Sequence, residues 1–170
     1  MHRGRRRDEP QDYSARIDYR PNAGWYQRLN HLGVVMTWLG LAPRDAITLE
    51  VRGRTSGKLR RLPILRTPYQ GDDYLVALAG ESQWVRNVRA ASGHAIIRRR
   101  GTHRVRLEEI APVDRAGVIA EYLRRGEQRS GAQAAAKQAR FYFGLDSDPS
   151  FDDIKAIVDY YPVFRIVYER

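Results

Sequence analysis

At 170 residues, 42% of them hydrophobic and 29% charged, the chain has enough apolar material for about one domain and is not a wholly disordered polymer. It contains no cysteine, which excludes a disulfide framework, zinc-thiolate sites and iron–sulfur ligation. The net charge is +10 but unevenly placed: residues 52–66 carry +6 and residues 86–106 carry +7, neither stretch holding an acid, so the rest of the chain stands at −3. A focused positive field of this kind attracts an anionic partner. Of the thirty basic residues 27 are Arg, the side chain suited to forked grips on phosphate and carboxylate.

Residues 1–20 have no apolar periodicity and read as a mobile basic tail, with residues 21–170 as a single domain. No apolar run follows the tail closely, so it does not read as a secretory signal, and a cytoplasmic protein is expected. From Asn22, a capping residue, Trp25, Leu29, Leu32, Met36 and Leu39 fall on one helical face, and Gly40 with Pro43 ends the pattern. The apolar run Leu32 to Ala42 is too short for a membrane span, which takes about 20 residues. The period then drops to two: Ile47, Leu49 and Val51 alternate with Thr48, Glu50 and Arg52, as in a half-buried strand. A turn at 53–57 leads into a second strand from Leu59 to Arg66, in which Pro63 requires an edge, a bulge or a ligand-facing position. Gly71-Asp72-Asp73 turns the chain into a strand from Tyr74 to Leu78.

Ser82 then stands as the cap of a short helix, Trp84 to Ala91. His94 to Arg99 and Thr102 to Ile110 form a hairpin across Arg100-Gly101. Asp114 as cap, a stripe of Val118, Ile119, Tyr122 and Leu123, and Gly126 as stop predict a helix; the Ala-rich residues 131–143 predict another. Ser150 with Asp153 opens a helix through Asp159, and Pro162 precedes a last strand, Val163 to Tyr168. Five or six antiparallel strands with helices at the margins favour a small α+β barrel over an alternating parallel sheet.

Two segments have the composition of an anion site. Gly53 and Gly57 free the backbone of Arg52-Gly53-Arg54-Thr55-Ser56-Gly57-Lys58-Leu59-Arg60 to expose N–H groups among four cationic side chains. This is not a Walker A loop: the two glycines enclose three residues rather than four, Leu59 follows the lysine, and the bend joins two strands. A plain hairpin with solvated arginines is the alternative. The second segment, residues 80–90, feeds a helix N-terminus, where Trp84 offers an aromatic wall and Asn87 both a donor and an acceptor. His2, His31, His94 and His103 lack metal-ligand spacing, and there is no Gly-x-Ser-x-Gly elbow.

The pairing of RGRTSGKLRRLPIL with GESQWVRNVRAA, followed by a basic hairpin and YPVFRI, resembles the deazaflavin-dependent nitroreductase family over about residues 24–168. That resemblance implies a split β-barrel related to FMN-binding oxidoreductases. It also implies the coenzyme F420, a deazaflavin with an acidic phosphate and glutamate tail. It places Arg52, Arg54, Thr55, Ser56, Gly57, Lys58 and Arg60 around that tail, Pro63, Ile64 and Leu65 along the ring, and Ser82, Trp84 and Asn87 on the pocket's other side. Thr55 departs from the family's frequent Lys or Arg. Residues 127–161 form a longer segment than in the smallest members and are expected to shape the substrate side. The implied activity is hydride transfer from the reduced coenzyme to a small-molecule electron acceptor: a quinone, a nitro compound or an activated alkene. The coenzyme carries the reducing equivalents, in keeping with a chain that offers no metal site or nucleophile. The proton source is left open among Tyr69, Tyr160, Tyr161 and solvent.

Three other readings remain at this level. The same fold can hold FMN or haem. Arg98, Arg99, Arg100, Arg104 and Arg106 can grip nucleic acid, although no aromatic residues interleave with them as a stacking platform requires, so no specific nucleic-acid partner is expected. Trp25, Tyr26, Val34, Val35 and Trp38 with the basic tail are compatible with weak membrane-surface association. Barrels of this type often pair, which makes a homodimer an expectation.

Overall fold

In the computed structural model, which describes residues 44–169, the period-two segments form a closed antiparallel barrel in the order β1-β2-β3-β6-β5-β4. The strands are β1 (Ala46–Arg52), β2 (Leu59–Tyr69), β3 (Asp72–Val76), β4 (His94–Arg98), β5 (Thr102–Glu109) and β6 (Val163–Tyr168). The small α+β split-barrel class expected from the sequence is the fold of the chain. The tail and the helix expected from Asn22 to Pro43, with its Trp25 and Trp38, lie outside the described residues.

β1 departs from the half-buried strand that its alternation predicts. Ile47, Leu49 and Val51 point into the barrel core beside Leu62 and Ile64. Thr48 and Glu50, on the opposite face, are also only 1% exposed. β1 lies between β2 and β4, and Arg61 and Arg98 reach from those neighbours to Glu50.

β2 runs three residues past its expected end because Arg66 to Tyr69 find partners on β3. Arg66 N–H donates to the Asp45 carbonyl at 2.7 Å and Gly53 N–H to the Lys58 carbonyl at 2.8 Å. With the β1–β2 register, that alternation leaves Pro63 opposite Thr48 in a non-hydrogen-bonded pair, its nitrogen turned away from β1. β3 pairs with β2 only from Arg66 onward, so the proline nitrogen lies on a stretch of β2 edge with no strand partner among the described residues and interrupts no ladder there.

Helix α1 (Gln83–Ala90) sends Val85 and Val88 into the barrel core. A second apolar cluster covers the outside of β3 and β6. It is built from α2 (Pro112–Ser130), a π-helical turn at Ala139–Phe143 and α4 (Phe151–Lys155), around the fully buried Tyr161, while α3 (Ala132–Gln138) links α2 to the π-helical turn and buries no residue. α2 begins at Pro112 and not at Asp114, because proline's fixed φ suits a first helical position; Asp114 lies inside the first turn, where its charge meets the helix dipole. Gly126 does not stop α2, which continues to Ser130 and ends at Gly131 with φ +83°. The Ser150–Asp153 capping box is present, but α4 stops at Lys155, and a 3-10 turn at Val158–Tyr160 leads toward β6. No helix among the described residues is long and apolar enough to cross a membrane.

The α1–β4 junction turns on Gly93, where φ is +83° and a Cβ would come 2.6 Å from the Leu107 carbonyl oxygen. Its N–H donates to Val88 O and its carbonyl accepts from Leu107 N–H, so the backbone cannot retreat without losing bonds. Gly93→Ala is expected to lower unfolding free energy by about 1–2 kcal/mol. Urea denaturation checks this, with an unchanged midpoint as the contrary result.

Candidate functional site

The bend between β1 and β2 closes on itself. Gly57 N–H donates to Gly53 O at 2.8 Å, Arg52 Nη1 to Gly57 O at 2.9 Å, and Lys58 N–H to Ser56 Oγ at 3.4 Å. Gly57 takes φ +66°, which a side chain would resist. The N–H groups of Thr55 and Ser56 have no partner among the described residues.

The bend is also fastened to α1. The side-chain oxygen of Asn87, a buried residue, accepts from the Arg54 N–H at 3.2 Å and from Arg54 Nη1 at 3.1 Å. Arg54 Nη1 also donates to Gln83 Oε1 at 2.9 Å. Gln83 was not singled out from sequence. Its signal is spacing, because it precedes Asn87 by four residues and therefore shares its helix face. Both acceptors are neutral amides, so they orient the guanidinium without cancelling its charge.

The cations of the two basic stretches separate by their partners. Glu50 takes Arg61 and Arg98, Asp45 and Asp73 take Arg66, Glu81 and Glu109 take Arg89, and Glu108 takes Arg106. Among the described residues no carboxylate lies within ion-pair distance of Arg52, Arg54, Lys58 or Arg60. All four are exposed, at the same end of the β1–β2 hairpin. Arg60 pairs with Val51 and shares its face, whereas Arg61 pairs with Glu50 on the other.

The remaining expected site residues spread over several surroundings. Ile64 packs against the barrel core and Leu65 against the helical cluster, so alternate residues of β2 face opposite ways and the three side chains of Pro63, Ile64 and Leu65 do not share one wall. Trp84 is packed against Phe164, with ring centroids 5.4 Å apart, at the edge of the barrel core. Ser82 occupies the N-cap position of α1, yet its side chain makes no capping bond, and its hydroxyl is buried without a partner. The sequence expectation of a Ser82 cap is therefore corrected: the helix start is present and the hydroxyl serves no capping role.

Of the tyrosines considered for proton delivery, Tyr161 is fully buried and donates its hydroxyl hydrogen to Tyr142 O at 2.5 Å. The Tyr69 hydroxyl accepts from Gln70 Nε2 at 3.1 Å, and Tyr160 is 40% exposed. No cluster of His, Asp or Glu able to hold a metal ion occurs among the described residues.

The family model described as F420H(2)-dependent quinone reductase matches residues 18–115, which include the bend and α1. A search of curated proteins found no match. Among solved structures, an F420-H2 dependent reductase (FDR-A) is similar at 21% identity over 72% of this chain and 94% of its own, with a TM-score of 0.39. A protein titled F420 reductase is similar at 16% identity over 79% and 93%, with a TM-score of 0.45. The haem-storage protein HutZ from Vibrio cholerae is similar at 10% identity over 75% and 83%, with a TM-score of 0.44. With its family model covering more than half of the sequence, this chain belongs to the F420H(2)-dependent quinone reductases and is an oxidoreductase whose cofactor is coenzyme F420.

Proposed function

We propose that the protein reduces a small electron acceptor of the quinone class, with nitro compounds and activated alkenes as further substrates, and that the β1–β2 bend grips the acidic tail of F420. The observation that carries this reading is the cluster of Arg52, Arg54, Lys58 and Arg60 at one end of the β1–β2 hairpin with no carboxylate within ion-pair distance among the described residues, whereas Arg61, Arg66, Arg89 and Arg98 are paired. A ligand bearing a phosphate and carboxylates supplies the missing charge. The chain offers further groups suited to that ligand. Thr55 and Ser56 present N–H donors at the tip of the bend, and the orphaned hydroxyl of Ser82 has hydrogen-bonding capacity to spend. The β2 edge at Pro63, without a strand partner among the described residues, suits a flat ring lying beside the backbone.

In this reading F420, when bound in reduced form, supplies the hydride, and the chain binds and orients. Arg52, Lys58 and Arg60 hold the acidic tail, while Asn87 and Gln83 keep Arg54 aimed at it. Ser82 and Trp84 bound the ring side and keep water from it. Pro63 belongs to that side by its edge position, whereas Ile64 and Leu65 hold β2 in place through their packing on its two opposite faces.

The test is a fluorescence titration of the apo-protein. F420 is expected to bind saturably at micromolar concentration and FMN more weakly, because FMN carries the phosphate but not the glutamates. Equal binding of the two, or binding of neither, overturns the assignment of the bend. Turnover is checked by mixing reduced F420 with 2-methyl-1,4-naphthoquinone and following coenzyme oxidation; no acceleration over the protein-free mixture removes the quinone assignment.

A further inference from the structure

Helix α1 is only eight residues long, lacks a side-chain N-cap and has no acid in its first turn, so its place depends on tertiary anchors. Val85 and Val88 set its depth in the barrel core, but apolar contact is non-directional and does not by itself fix rotation or axial position. The Asn87–Arg54 contact requires both.

A directional anchor sits beside it. Arg89 Nη1 and Nη2 donate to the two oxygens of Glu81 at 2.6 and 2.9 Å. Its Nε and Nη2 donate to the two oxygens of Glu109, at the end of β5, at 2.7 and 2.8 Å. Glu109 is held in turn by Arg115 Nη2 at 3.1 Å; Arg115 is 5% exposed and also donates to the carbonyls of Ile110 and Val158. A charged line therefore runs from the loop entering α1, through α1 and the end of β5, into α2. Each Arg89 grip is forked, which fixes the guanidinium plane as well as its distance. The hydrogen bonds from Arg89 to Glu109 and Glu81 hold its guanidinium well above the ordinary arginine range.

We propose that Arg89 is a positioning residue for F420 binding: by bracketing Glu81 and Glu109 it sets α1 against the bend so that Asn87 meets Arg54. This rests on the reading of the bend as the coenzyme's anion cradle. Arg89 and Glu81 are each 41% exposed, so the bracket adds little to global stability, as is usual for exposed pairs. Its effect is felt where a helix must be placed to within a hydrogen bond.

The experiment uses the full chain, F420 fluorescence titration, steady-state kinetics and thermal melts. Arg89→Gln is expected to raise the F420 dissociation constant about tenfold and the KM for F420 alongside it, with kcat at saturating coenzyme and the melting temperature little changed. Arg89→Lys keeps the charge but not the forks and is expected to recover only part of the affinity. Glu81→Gln loosens one grip and is expected to cost about threefold, giving a milder variant should Arg89→Gln fold poorly. The decisive readout is a double-mutant cycle with Asn87→Ala: if Arg89 acts through Asn87, the double variant binds no worse than Asn87→Ala alone. Additive losses, or an Arg89→Gln dissociation constant equal to wild type, overturn the bracket. The bend is tested apart from it by charge reversal at Lys58 and Arg60. If those reversals leave binding unchanged, the cradle is misplaced and the bracket falls with it; if they weaken binding while the cycle is additive, the bracket alone falls.

Discussion

Lys58→Glu combined with Arg60→Glu is expected to raise the dissociation constant for F420 by about two orders of magnitude while leaving the melting temperature close to wild type. Both side chains are exposed and neither has a carboxylate partner among the described residues, so reversing them breaks no ion pair of the fold. The ligand's phosphate and carboxylates meet repulsion in place of attraction, and the change per residue spans two charge units. The effect should shrink as salt is added, because mobile ions screen exposed charges from one another over the Debye length, about 10 Å at 0.1 M and shorter as the ionic strength rises. Titration at two salt concentrations checks both statements. A dissociation constant unmoved by the reversal would mean that the tail lies elsewhere.

Glu50→Ala is expected to lower unfolding free energy by about 2–4 kcal/mol. Glu50 has a side chain with no solvent exposure, and its Oε1 accepts from Arg61 Nε at 2.5 Å and Arg98 Nε at 2.7 Å. It joins β2 and β4 across β1, so its loss leaves two guanidinium groups without their shared acceptor on the face of the strand that carries the bend. The low end of the range reflects the partial exposure of both arginines, which allows water to replace some of what is lost. Burial pushes the Glu50 carboxyl up, but the hydrogen bonds from Arg98 and Arg61, together with their charges, outweigh it and hold the group below its ordinary value of 4.5. The carboxylate's contribution is therefore complete above pH 4.5 and is lost as the pH falls through its lower folded value. The stability gap between wild type and Glu50→Ala should be constant near neutrality and close in acid. Denaturant titrations from pH 7 downward check this, and a gap that widens in acid contradicts it.

The barrel was legible because its strands carry their own period and punctuation. Ile47, Leu49 and Val51 mark an inward face, Gly71 and Gly101 fall at turns, and Val163 to Tyr168 follows Pro162. The helix ends were less legible. Asp114 and Gly126 have the right chemistry for a start and a stop, yet Pro112 opens α2 and Gly126 is carried through the contact with α3, where it lies near the Gln138 side chain. Local preference amounts to less than a kcal/mol or so at such positions, and tertiary packing overrides it.

The site divided in the same way. The two basic stretches were visible as runs of arginine without acid, and the family motif ordered the bend before α1. Which arginines stay available was not visible, because Glu50, Asp73, Glu81 and Glu109 lie outside the stretches or in other elements and meet them only after the barrel closes.

By itself the sequence determined the strand pattern, the anionic character of the ligand and, through its motif, the coenzyme, since each depends on residue type and short-range spacing. The tertiary structure alone decided that Arg61, Arg66, Arg89 and Arg98 are neutralised while Arg52, Arg54, Lys58 and Arg60 have no carboxylate partner among the described residues, and that Asn87 holds Arg54. The reason is that ion pairing acts over a few ångströms in space, and residues 33 or 48 positions apart come within that range only through the fold.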